Sequence, residues 1–334
     1  MNSEPKVLQF NDCAFVARNM VRAAARAGIK WAYMPPEQVR PMTAAPKNPL
    51  LARARFVPYV ARRAVRLHAA DVVHVHYGTS TRLIKERGMP SRPYVLTLHG
   101  TDIRKQWKDP VYKDEIQRAI DGAEHVFYAN TDNEHDARAA RSDAEFLPSL
   151  VDVAGLPTWA PSGPPTVLFI SRWDDDKGVG RQLGLVEQLC RAVKGKADVV
   201  GLNWGPGSQA AERIGVTMLE KLPQEEYYAR LSRAWVGVGQ ASNYFSTSEF
   251  EALCIGLPVA ALGSRLPRPD DGTVPPVMEG GVEETVEQIV DALQDPYEVS
   301  ARLGGRSWAI PRYDAAEYVP MLDALYKRVA AVVK

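Results

Sequence analysis

Glu251 stands early in the apolar run Glu251-Ala252-Leu253-Cys254-Ile255-Gly256-Leu257-Pro258-Val259, and a small, hydroxyl-rich loop, Ser246-Thr247-Ser248, precedes it. A helix starting there offers free N–H groups and the positive end of its dipole. An acid beside such a terminus can grip a neutral polyol, so the pair suits phosphate on the amides and ribose hydroxyls on the carboxylate. Two cations stand upstream. Arg172 follows the apolar run Phe169-Ile170, and Lys177 comes five residues later across the acidic turn Asp174-Asp175-Asp176. Arginine offers phosphate a planar fork and lysine a compact point charge. His99 directly follows the apolar run Tyr94–Leu98, where an imidazole can donate to a hydroxyl and to a phosphate oxygen near neutral pH. Asp12 and Asp102 lie just past two such runs and are expected to reach substrate.

Each residue also has a plainer reading. Ser248-Glu249-Phe250-Glu251 spells a capping box in which Glu251 returns to the N-cap amide. Arg172 and Lys177 can pair with the acidic turn. His99 can be inert beside a helix capped by Thr101 or Asp102. His74 and His76 recur along Asp71-Val-Val-His-Val-His76. At most one is expected to face a ligand, and no further side chains are spaced to hold a metal with them.

The elements that must position these groups alternate short β-branched runs with longer helical stretches, the mark of parallel α/β layers. Strands are expected at Val7–Phe10, Lys30–Met34, Asp71–His76, Tyr94–Leu98, Val126–Ala129 and Ala144–Leu147, with helices over Phe15–Ala27 and from about Leu50 to His68. Pro157–Pro165 reads as a linker. The alternation then restarts with strands at Thr166–Ile170, Ala197–Gly201, Val216–Leu219, Val236–Gly239 and Pro258–Leu262. Helices are expected at Gly180–Lys194, Gln224–Ala234, Glu249–Ile255, 282–295 and Ala315–Val333.

The 334 residues allow two domains, and 46% apolar content supports real cores. A net charge of +1 excludes a generic polyanion binder, although the first half is basic and the second acidic. Three scattered cysteines form no disulfide framework, and no apolar run reaches membrane-spanning length, so a cytoplasmic setting is expected. The segment 38–70 holds Arg40, Lys47, Arg53, Arg55, Arg62, Arg63 and Arg66 and no acid, with Leu51, Phe56, Val60 and Leu67 on an opposite face. It is either the solvated face of a packing helix or a peripheral contact with an anionic surface. It has no stacking platform for nucleic acid, which is not an expected partner.

The order of motifs resembles the glycosyl transferases group 1, or family 4, enzymes of the GT-B fold. The motifs are Asp71-Val72-Val73-His74-Val75-His76, Leu98-His99-Gly100-Thr101-Asp102-Ile103, Leu147-Pro148-Ser149-Leu150-Val151-Asp152, Phe169-Ile170-Ser171-Arg172 with Asp176-Lys177-Gly178-Val179, and Glu251–Val259. The resemblance implies an α/β chain of two Rossmann-like domains with parallel sheets facing a central cleft. The N-terminal, acceptor-side domain is expected over 1–156, joined by a helix at about 315–334, and the nucleotide-sugar domain over 165–314. It implies transfer of a sugar, with retention, from a nucleotide diphosphate donor to an unidentified acceptor (glycan, lipid or protein), with no metal or other cofactor. By the same resemblance, Arg172 and Lys177 hold the diphosphate and Glu251 binds the ribose. His99 meets the transferred sugar and leaving phosphate, and Phe245, Ser246, Thr247 and Ser248 lend loop amides. Two positions depart from the pattern. Asn243 stands where the donor motif has its first Glu, and the loop Asn11-Asp12-Cys13-Ala14 lacks the usual glycines. The alternative function is a catalytically silent relative that binds a sugar nucleotide or glycan.

Overall fold

The computed structural model describes residues 4–332. The chain divides into two compact units, one of Met1–Asp152 with Ala315–Lys334 and the other of Val153–Asp314.

The first unit is a six-stranded parallel sheet of β1 (Val7–Phe10), β2 (Ala32–Met34), β3 (Val72–His76), β4 (Tyr94–Leu98), β5 (His125–Tyr128) and β6 (Glu145–Phe146), in the order β2-β1-β3-β4-β5-β6. Strands of such a sheet are covered on both faces and so read as continuous apolar runs. One face packs Leu8, Phe10, Val73, Val75, Leu96 and Leu98. The other packs Val7, Val72, Val95 and Phe127 against the C-terminal helix (Ala315–Ala331) through Val319, Leu322 and Leu325. Residue 333, the expected end of that helix, lies outside the described residues. Helix α1 (Val16–Arg26) follows β1. The single helix expected over 50–68 is two, α2 (Pro49–Ala54) and α3 (Val57–His68). Asn48 caps the first by accepting from Leu50 N at 2.9 Å, and Pro58, which has no N–H to give, starts the second.

The second unit is another six-stranded parallel sheet: β7 (Thr166–Phe169), β8 (Asp198–Leu202), β9 (Thr217–Leu219), β10 (Val236–Val238), β11 (Val259–Leu262) and β12 (Met278–Gly280), in the order β12-β11-β10-β7-β8-β9. Helices α4 (Val179–Ala192), α5 (Gln224–Arg233) and α6 (Thr247–Ile255) matter for the site. Pro157–Pro165 is no free linker. Trp159 Nε1 donates to Ala234 O at 2.9 Å and Ala160 N to Ser232 O at 2.8 Å, which pins the segment to the end of α5.

The strand orders fix where ligands can sit. Open parallel sheets bind at the carboxyl ends of adjacent strands whose crossovers leave in opposite directions. In the first sheet those strands are β1 and β3; in the second they are β7 and β10. The loop after β7 is anchored by Trp173, which is fully buried. Its indole N–H donates to Leu202 O at 3.0 Å, its backbone N–H donates to Trp204 O at 2.9 Å, and its carbonyl accepts from Gly207 N at 3.0 Å.

Gly205 is held at φ +110°, and a Cβ there would stand 2.4 Å from Trp173 O. We expect Gly205→Ala to cost at least about 2 kcal/mol, since both the left-handed backbone and the clash oppose it. Urea denaturation measures this, and an unchanged midpoint would disprove the anchoring role.

Candidate active site

Lys177 Nζ donates to Ser246 Oγ and lies 5.3 Å from the centre of the Tyr244 ring. One backbone and one side-chain bond set up this approach across the switch point. Ala241 N donates to Lys177 O at 2.9 Å, and Ser242 Oγ to Asp176 O at 2.7 Å.

Ser246 is the N-cap of α6. Its N–H donates to Glu249 Oε2 at 3.0 Å, and its side chain accepts from the Glu249 N–H, closing a capping box. The other Glu249 oxygen accepts from Gln240 N at 3.1 Å. The box expected between Ser248 and Glu251 is therefore wrong by two residues, because the helix starts at Thr247. Glu251 instead accepts from Tyr228 OH at 2.6 Å. The neighbouring Tyr227 hydroxyl donates to Ile170 O at 3.1 Å and bonds the Ser248 side chain. Burial, then the charges of Glu251 and Glu249, push that phenol well above its usual range.

Arg265 ties the loop after β10 to the end of β11. Its buried guanidinium donates to Gln240 O at 3.3 Å and to the carbonyls of Ser242, Leu262 and Gly263, and lies 5.2 Å from the Phe245 ring. Burial pulls it down to about 10. The Phe245 side chain is core, with its ring centre 6.0 Å from that of Phe250, so only its backbone borders the loop. Asn243 is exposed, and its carbonyl accepts from Leu266 N at 2.8 Å.

Lys177, Ser246, Thr247, Ser248 and Glu251 thus share one rim of the second sheet. Arg172 is turned toward the loop after β8. It pairs with Asp174 at 2.6 Å and lies 5.6 Å from the Trp204 ring, so for it the acidic-turn reading holds. An open pocket of about 490 Å³ on the same sheet edge is lined by Arg181, Ser264 and Glu279, and its lining does not include the Lys177 group. Among the described residues, no group of three His, Cys, Asp or Glu side chains is placed to hold a metal ion.

In the first unit, two expected substrate ligands serve the backbone. Asp102 is fully buried and accepts from Gly78 N, His99 N, Gly100 N and Ile103 N at 2.9–3.0 Å. Burial pushes its carboxyl up while those amides pull it down. It builds the turn that presents His99. Asp12 accepts from Ala17 N at 3.0 Å, Arg18 N at 3.3 Å and Tyr33 OH at 2.6 Å, so it caps α1. Burial raises its carboxyl as well.

Neither His74 nor His76 faces a ligand; both rings are fully buried and stacked 4.5 Å apart. They belong to a polar line through the sheet. His74 bonds Thr97 Oγ1 at 2.7 Å and Tyr326 OH at 2.6 Å. Gln9 bridges Tyr326 OH at 2.9 Å and His76 Nε2 at 3.0 Å, and His76 Nδ1 meets His99 Nε2 at 3.0 Å. Burial lowers His74 and His99 to about 3 and holds His76 well below its usual value.

The non-glycine residues with positive φ, among those described, are Asn11 (65°), Ala14 (52°), Phe15 (63°) and Tyr77 (84°), and all lie on the loops after β1 and β3. Non-glycine residues held there cost of order 1–2 kcal/mol each and cluster at functional sites. Asn11 Oδ1 on the first of these loops is buried without a hydrogen-bond partner, as are Nε and Nη2 of Arg18 in α1. Arg18, Gln9, Tyr228 and Arg265 were not singled out from sequence. Gln9, Tyr228 and Arg265 have partners remote in the chain, which no local spacing announces.

Residues 13–148 match the family model described as a glycosyl transferase 4-like domain, within the first unit. No curated protein matches the chain. Among solved structures, sucrose-phosphate synthase from Thermosynechococcus elongatus superposes with TM-score 0.68 at 15% identity, over 98% of this chain and 100% of that one. HepE from Anabaena, in complex with UDP and glucose, gives 0.64 at 14% identity over 97% and 99%. Trehalose-6-phosphate synthase, solved in work on glycosyl transfer with retention, gives 0.64 at 12% identity over 98% and 99%. By fold, then, the protein is similar to these glycosyltransferases and shares their GT-B architecture. Its N-terminal part is a glycosyl transferase 4-like domain, as the motif order implied.

The three imidazoles give a pH prediction. Their folded pKa values lie below the unfolded 6.5, so their contribution is fully present above 6.5 and is lost as pH falls through 6.5 toward about 3. Each group costs about 1.4 kcal/mol per pH unit well below 6.5. The raised carboxyls of Asp12 and Asp102 act in the opposite sense and are fewer. Urea midpoints should fall steadily from pH 6.5 to 5, and a flat profile would refute the neutral line.

Proposed function

We propose that the protein moves a sugar, with retention, from a nucleoside diphosphate sugar to an acceptor. The observation that carries this reading is the Lys177 ammonium seated on Ser246 at the α6 N-terminus, across the switch point of the second sheet. The leaving diphosphate gains negative charge as the glycosidic bond breaks, and a fixed cation with helix amides stabilises that charge selectively. Lys177 and the amides of 245–248 carry this role without a metal in our reading. Arg172 joins them by exchanging Asp174 for phosphate. Glu251, relieved of capping, takes the ribose hydroxyls, and His99 takes the transferred sugar. HepE was solved with UDP and glucose, and the trehalose-6-phosphate synthase work concerns retention. Both support the reading by analogy of fold.

A thermal-shift screen of nucleoside diphosphates and their sugars should raise the melting point with one base and one sugar. Lys177→Ala should lower donor hydrolysis or transfer by about a hundredfold or more. Unchanged turnover would end the assignment. The second reading, a silent binder, is favoured by Asn243, an uncharged exposed amide where the motif has an acid. A melting shift with no turnover across many acceptors would select it.

A peripheral contact with an anionic membrane through 38–70 belongs to the same proposal. The structure leaves Leu50 75% exposed, with Met42, Leu51, Val57 and Val65 also outward, beside the exposed Arg40, Lys47, Arg53, Arg62 and Arg66. Arg63 and Leu67 leave this surface. Arg63 is buried against Val39 O at 2.7 Å and against Glu86, and Leu67 is core. Among the described residues no helix is long and apolar enough to cross a membrane. Each basic residue near an anionic surface contributes about 1 kcal/mol. Sedimentation with phosphatidylserine vesicles should retain the protein, and Arg53→Glu with Arg62→Glu should release it. Equal binding to neutral vesicles would contradict the charge argument.

A further inference from the structure

The polar line through the first sheet has a direction, and that direction reaches His99. Tyr326 OH stands 2.6 Å from His74 Nδ1. That is shorter than N–H donors come to oxygen and is ordinary for an O–H donor, so the phenol donates to the imidazole. The Tyr326 oxygen must then accept from Gln9, and the 2.9 Å separation from Gln9 Nε2 suits an N–H donor. With its amide oriented this way, Gln9 turns its oxygen to His76 Nε2 at 3.0 Å, so His76 donates there. A neutral imidazole has one donor and one acceptor. His76 Nδ1 is therefore an acceptor, and His99 Nε2, 3.0 Å away, carries the proton. His74 obeys the same rule, donating from Nε2 to Thr97 Oγ1 at 2.7 Å. His74 and His76 are fully enclosed, whereas His99 is partly exposed.

We propose that Gln9, His76 and Tyr326 act as positioning residues that lock His99 in its Nε2–H tautomer, so that its Nδ1 lone pair accepts a hydrogen bond from a sugar hydroxyl. In this tautomer His99 has no N–H left to give a phosphate oxygen. The motif resemblance gives His99 both sugar and phosphate. The line assigns it the sugar alone, through acceptance, and makes it a reader of one hydroxyl. The protein selects the tautomer from a residue 227 positions away, Tyr326 on the C-terminal helix, because Gln9 and His76 transmit the orientation of its phenol. This deepens the glycosyl-transfer reading and rests on it for the identity of the ligand.

The test is nitrogen-15 NMR of the histidine rings of the full chain near pH 7.5, with and without the donor found in the thermal screen. In the native protein, His99 Nε2 should carry the proton and Nδ1 should not. Gln9→Met removes the acceptor for His76 and should give His99 a mixture of tautomers. It should also raise the donor KM about tenfold, with a smaller change in kcat. Gln9→Glu keeps an acceptor facing His76 and should retain the native tautomer and KM. A protonated Nδ1 in the native protein overturns the inference, and so does Gln9→Met with unaltered His99 signals. If the native tautomer is as stated and no sugar nucleotide is bound or turned over, the line stands and the glycosyl-transfer reading falls.

Discussion

Glu249 decides where α6 begins, and much of the candidate site depends on that start. Its two oxygens hold Ser246 N at 3.0 Å and Gln240 N at 3.1 Å, so one carboxylate closes the helix cap and also fastens the end of β10. Ser246, fixed as the N-cap, presents its hydroxyl to Lys177. Glu251, two residues on, is rotated about 200° around the helix from Glu249 and meets Tyr228 of α5 instead. Had Glu251 closed the cap, the helix would have turned by that angle and lost this partner. The division between the acid that caps the helix and the acid that meets Tyr228 comes from the cap.

That division explains what could be read from the chain and what could not. The strands were legible because parallel sheets covered on both faces need apolar runs, and Val72–His76, Tyr94–Leu98 and Val259–Leu262 are such runs. β12 escaped notice because Met278-Glu279-Gly280 is short, half polar and at an edge. The helices Pro296–Leu303 and Gly305–Tyr313 were hidden by their Pro and Gly content, and Pro311 even sits inside the second. Packing against α6 outweighs that propensity, through the stack of Phe250 on Tyr313 at 3.7 Å between ring centres. That Lys177 and the 246–251 stretch come together was legible, because loops and helix starts carry local signals. The jobs of Asp12 and Asp102 were not, since a carboxylate after a strand looks the same whether it meets a ligand or a row of amides.

The first sheet solves a different problem. A line of six polar side chains crosses a region that would otherwise be apolar core. Such a line is tolerable only when every member is paired, because an unpaired buried polar group costs about as much as several good contacts return. Tyr326 supplies the missing partner, with its ring also edge-on to Trp31 at 5.1 Å. The C-terminal helix is thus held by apolar packing and also registered by one hydroxyl. A slip of one residue along that helix would leave His74 and Gln9 facing a carbon surface.

The two units also reach their working geometry by opposite means. In the second, Lys177 and Glu251 stand on a capped helix start and on loops braced by Arg265, and among the described residues no non-glycine residue there has positive φ. In the first, the loops after β1 and β3 hold four non-glycine residues at positive φ. The usual glycines of that loop would take those angles without strain, whereas Asn11, Ala14 and Phe15 must be forced into them. Part of the force is visible. Asn11 Nδ2 donates to His76 O at 2.9 Å and to Ser80 Oγ at 3.0 Å, and Asp12 pulls the following turn onto the α1 amides. A loop restrained in this way resists the collapse open to a glycine loop and projects the half-exposed Phe15, whose ring centre lies 4.1 Å from the Arg18 guanidinium carbon. The strain therefore falls on the loops after β1 and β3, and the Lys177–α6 arrangement carries none of it.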